Sequence, residues 1–88
     1  MVKNTDIFNG LNALLKMDTP VTLVSRTGEV ILENQRLEYE YDVYGSGVPI
    51  GFYVSGFHLH PNMIRNYIKG SQIVIRDKYL KQFKKRAA

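Results

Sequence analysis

The sequence predicts an α+β domain that is mostly β: an N-terminal helix followed by a strongly bent, five-stranded antiparallel small barrel. Three observations predict it. Apolar residues recur at helical spacing near the start of the chain. From Val21 onward they recur in short runs, most clearly Leu37, Tyr39, Tyr41 and Val43 alternating with Glu38, Glu40 and Asp42, the period-two pattern of a half-buried strand. Turns rather than crossover helices separate the runs, and short links with strong bending favour a small barrel over a flat sheet.

Each element has its own signal. Asn4 or Thr5 is the expected cap of a helix whose residues Ile7, Leu11, Leu14 and Leu15 share one face. Asp6 suits its positive end, Gly10 costs it about 1 kcal/mol of propensity, and Pro20 is expected to close the segment. Val21 to Ser25 reads as a strand that turns at Gly28 into Glu29 to Leu32. Leu37 to Val43 follows, then the turn Gly45-Ser46-Gly47, then Ile50, Phe52 and Val54. Phe57 and Leu59 are out of phase with that set, which predicts a β-bulge around Ser55-Gly56. A turn at His60-Pro61-Asn62 precedes two short strands, Met63 to Lys69 and Ser71 to Arg76, placed around Gly70. Residues 1–77 are read as the barrel with its helix. Residues 78–88 are read as a basic helical turn or tail, with Leu80 and Phe83 inward if helical.

At 88 residues and without cysteine, the chain is one domain with no disulfide, thiolate metal site or catalytic thiol. Its apolar runs are too short for a membrane-spanning helix, and its first residues lack the apolar stretch of a secretory signal, so a cytoplasmic setting is the expectation. Charge is divided unevenly. Residues 1–61 hold four basic and seven acidic side chains, whereas residues 62–88 hold eight basic ones against Asp77 alone. A basic half of this kind attracts polyanions, with nucleic acid ahead of a membrane surface because no broad apolar helix face accompanies it.

The segment Tyr67-Ile68-Lys69-Gly70-Ser71-Gln72-Ile73-Val74-Ile75 resembles the second sequence motif of the Sm and Sm-like RNA-binding proteins. In it an apolar strand leads to a basic residue and a glycine, followed by a second apolar strand. Lys69 stands where that family usually carries arginine. Asn12-Ala13-Leu14, Pro20-Val21 and Gly28 are similar to the helix, first strand and first turn of its bacterial RNA-chaperone branch. The resemblance implies a homo-oligomeric ring assembled by strand-edge pairing, with single-stranded RNA as partner and no cofactor. It implies RNA contacts from Tyr44, Lys69, Gly70, Gln72 and Arg76: Tyr44 stacking on a base, Lys69 and Arg76 neutralising phosphate, and Gln72 bonding a base.

Other constellations have plainer explanations. His58 and His60 are spaced to share a strand face, but with no carboxylate near them in sequence they are a weak metal signal, and no metal is expected. Glu38, Glu40 and Asp42 are accounted for as the wet face of a strand. A nucleophile elbow, a phosphate-binding loop and a dinucleotide glycine motif are all missing, so catalysis is not expected. The competing expectation is a small protein-binding regulator or inhibitor that offers a sheet edge to its partner.

Overall fold

The computed structural model describes residues 3–45, 47–68 and 70–87, with the side chains of all but 68 and 84–87. Helix α1 spans Asn4–Lys16 and buries Ile7 and Leu11, as its apolar spacing requires. Lys3 occupies the cap position and no side chain caps the helix, so Asn4 begins the first turn instead of preceding it. The end is set before Pro20 is reached. Asp18 takes φ +54°, its N–H donates to the Leu15 carbonyl, and the Thr19 N–H donates to the Leu14 carbonyl, each at 3.0 Å. These paired bonds satisfy carbonyls that a helix end leaves free, so a Schellman turn stops α1.

Seven short strands follow: β1 (Val21–Val24), β2 (Val30–Gln35), β3 (Leu37–Tyr41), β4 (Pro49–Val54), β5 (Phe57–Leu59), β6 (Ile64–Ile68) and β7 (Gln72–Ile75). They form a four-stranded sheet of order β2-β1-β7-β6 and a three-stranded sheet of order β3-β4-β5. Ser25 builds the first turn: its buried hydroxyl accepts the N–H groups of Thr27 and Glu29, with Gly28 at φ +91°. Arg36 alone separates β2 from β3, and a 3₁₀ turn at Pro61–Met63 separates β5 from β6. At both places the chain passes from one sheet to the other without reversing. The Arg36 guanidinium fixes the first bend by donating to the Asp18 carbonyl at 2.7 Å.

The expected bulge at Ser55-Gly56 is a hairpin turn. Ser55 and Gly56 take φ +52° and +80°, and Val54 lies opposite Phe57. Two successive positive-φ residues reverse the chain with the twist a tight hairpin needs. The phase slip therefore marks a reversal, and β4 and β5 stand where one bent strand was expected. In place of the expected five-stranded barrel, the described strands form two separate sheets with no closed barrel among them. Nor are the pairings all antiparallel. Four antiparallel pairings lie along the chain between β1 and β7, an even number of reversals, so these two strands run the same way and pair in parallel.

Both sheets contribute to one core, including Leu23 and Ile73 from the first and Phe52 and Val54 from the second. Residues 77–79 form a 3₁₀ turn and Leu80–Ala87 forms helix α2, whose Phe83 is fully buried against Phe57, ring centroids 5.3 Å apart. Strand β7 is an inner strand, and Ile73, Val74 and Ile75 are all buried within the single chain. Apolar residues on both faces of residues 72–75 thus need no neighbouring subunit to cover them.

Candidate functional site

The β3–β4 hairpin extends the apolar stripe of residues 37–43 beyond the core. Leu37 is buried and Tyr39 half-buried, whereas Tyr41 is 53 % exposed and Val43 90 %. Asp42 shapes the tip: its carboxylate accepts the Tyr44 N–H and its carbonyl accepts the Gly45 N–H, both at 3.0 Å. That turn presents the Tyr44 ring to solvent, 91 % exposed, beside exposed Val48 and Ile50. An aromatic ring held exposed on a short turn suits stacking on an unpaired base.

Gly70 and Gln72 lie elsewhere, at the β6–β7 turn of the four-stranded sheet. Gly70 takes φ +86° with open space where a Cβ would stand, and Gln72 is exposed at the start of β7. Lys69 lies outside the described residues. Arg76 follows the far end of β7, about 13 Å along the strand from Gln72 at the usual rise per residue, with an exposed side chain. Its backbone N–H donates to the Met63 carbonyl at 2.8 Å. No hydrogen bond or ring contact among the described residues joins Tyr44, Gly70, Gln72 and Arg76 to one another. Gly70 and Gln72 share one turn, while Tyr44 belongs to a hairpin of the other sheet and Arg76 to the opposite end of β7.

Positive charge remains at the surface. Arg65, Arg76, Lys78 and Lys81 are exposed, and Asp77 is engaged by Arg26 at 2.8 Å. The acid that interrupts the basic half is thereby neutralised by a residue from the first turn. Exposed pairs of this kind contribute little stability, so its consequence is for the surface field.

A third grouping was not legible from sequence spacing. Across β3, β4 and β5, Glu40 lies opposite Gly51, and the register that sets Tyr53 opposite His58 carries His60 to the same row as Gly51. The Glu40 Oε1 atom lies 3.1 Å from His58 Nδ1 and 3.3 Å from His60 Nε2. The two imidazoles stack at 5.7 Å with planes 14° apart, and Tyr53 packs on His58 at 4.7 Å. A donor atom from each of Glu40, His58 and His60 lies within 4.8 Å of the others. The histidine pair and the acidic row each looked ordinary because the carboxylate is 18 residues from His58 in sequence and adjacent to it only in the sheet. No protein-family model, curated protein or solved structure significantly matches the chain.

Proposed function

We propose that this chain is a non-catalytic binder of single-stranded RNA that works as a homo-oligomeric ring of Sm-like small barrels. The observation that carries the reading is the hairpin tip, where Tyr44 and Tyr41 are displayed to solvent on a domain whose residues 62–88 carry a net charge of +7. Stacking rings and dispersed cations are the two components of sequence-tolerant single-strand binding. The continuity of β2 into β3 and of β5 into β6 supports the bent-barrel reading, with a parallel seam between β1 and β7. Among the described residues, strands β2, β3, β5 and β6 each pair on one side only, which leaves edges to accept another copy. A ring repeats Tyr44 once per subunit, so weak single contacts sum to avid binding.

Two measurements test this. Fluorescence anisotropy with oligo-U and oligo-A RNA should show affinity that falls steeply as salt rises, because phosphate neutralisation releases counterions. Binding that is absent, or indifferent to salt, refutes the RNA reading. Light scattering after size exclusion should give a multiple of the 10.1 kDa chain, and a monomer at micromolar concentration refutes the ring.

The second reading, a protein-binding module, is favoured by one specific observation. Tyr41, Val43, Tyr44, Val48 and Ile50 form an exposed apolar run within ten residues. Exposed apolar surface concentrated in this way marks interaction sites for protein as well as for bases. A complex that forms through this hairpin but is insensitive to salt and to RNA favours the second reading over the first.

A further inference from the structure

The geometry points to a transition-metal site on the solvent face of the three-stranded sheet, formed by Glu40, His58 and His60 and suited to Zn²⁺, Co²⁺ or Ni²⁺. Two neutral imidazoles and one carboxylate are a borderline donor set, which selects these ions over the oxygen-seeking Mg²⁺ and Ca²⁺. Two of the three separations match: ligand atoms about 2.0–2.2 Å from a tetrahedral ion are about 3.3 Å apart, and the Glu40 Oε1 to imidazole separations are 3.1 and 3.3 Å, with all three donors within 4.8 Å of one another. Glu40 and His58 come from strands paired through β4, and His60 directly follows the end of β5, so the sheet register sets where the three donors meet. Three protein ligands leave the fourth position of a tetrahedral ion to water or an outside donor, as in zinc sites that bind or activate a further group.

Gly51 gives independent support. It lies buried in the middle of β4, where glycine weakens a strand, and its φ is not in the left-handed region. Backbone conformation therefore does not call for glycine. Space does: a Cβ there would stand 2.8 Å from His60 Cε1, 2.9 Å from His60 Nδ1 and 3.0 Å from Glu40 Oε1. The missing side chain lets the carboxylate and imidazole meet across the central strand. Glu40 is held with only 16 % of its side chain exposed, between rings with which it can exchange hydrogen bonds or share an ion.

The test uses the untagged full chain with ZnCl₂, CoCl₂ and MgCl₂. Calorimetry should show one Zn²⁺ per chain, Zn²⁺ should raise the thermal midpoint, and Co²⁺ should develop visible absorption of low-symmetry nitrogen–oxygen coordination. Mg²⁺ should do none of these. Glu40→Gln and His60→Ala should each weaken Zn²⁺ binding by about tenfold or more, as changes at ordered metal sites do. Gly51→Ala should weaken it through the displaced His60 ring. Circular dichroism establishes which variants fold, and the nearly isosteric Glu40→Gln decides the matter if His60→Ala does not. No Zn²⁺ binding at millimolar concentration overturns the site. Equal affinity in wild type, Glu40→Gln and a His58→Ala/His60→Ala double variant also overturns it, because the ion then binds elsewhere.

Discussion

The ring of Tyr67 on β6 lies directly on Gly10 of α1, and its hydroxyl donates to the Gly10 carbonyl at 3.1 Å. A Cβ at residue 10 would meet two ring atoms at 3.1 Å and a third at 3.4 Å. The glycine that weakens the helix locally is thus where the helix meets the sheet. Gly10→Ala should gain about 1 kcal/mol of helix propensity when Tyr67 is replaced by alanine. In wild type that gain should be smaller by about 1 kcal/mol, because the ring must shift and its hydrogen bond suffers. Urea unfolding of the four variants in a double-mutant cycle checks this, and simple additivity refutes it.

The same tyrosine predicts an alkaline effect. Burial pushes the Tyr67 phenol above its usual value of 10.0. The unfolded chain therefore loses this proton first as pH rises. The contribution is whole below the unfolded value and is lost as pH climbs through the raised folded value. Urea midpoints at about pH 8 and about pH 11 should differ less in Tyr67→Phe than in wild type, since the titrating group is gone.

Phe83 makes the C-terminal helix part of the fold. Its fully buried ring against Phe57 implies that Phe83→Ala costs about 3–5 kcal/mol, measurable by thermal or urea unfolding. Removing residues 78–88 should destabilise the domain and, if the chain binds RNA as proposed, lower the non-specific part of that affinity. A truncated chain with an unchanged melting midpoint would show that α2 is dispensable.

Tyr44 offers the opposite case. At 91 % exposure its replacement by alanine should leave the melting midpoint unchanged. It should nevertheless weaken binding of single-stranded RNA by about 1–3 kcal/mol if the ring stacks on a base. Arg76→Ala should instead reduce the salt dependence of binding, with a slope change of about 0.7 for one lost phosphate contact on a single strand. Anisotropy titrations at several salt concentrations separate the two effects.

What the sequence determined by itself is local. The face of α1, the alternation of residues 37–41 and the turns at Gly28, Gly45 and Gly70 were legible, because helix and strand periods and positive-φ glycines are properties of neighbouring residues. The Schellman end at Asp18 and the hairpin at Ser55-Gly56 were not. Asp18 and Ser55 are not glycine, and only the surrounding hydrogen bonds and strand pairing hold them at positive φ. The structure places Tyr44 at one hairpin tip and Gly70 with Gln72 at a turn of the other sheet, a separation that spacing along the chain does not specify. Likewise Glu40 meets His58 and His60 only through the registers of β3 with β4 and of β4 with β5. Register depends on how two sheets close around one core, and a one-residue slip would send each of these side chains to the opposite face.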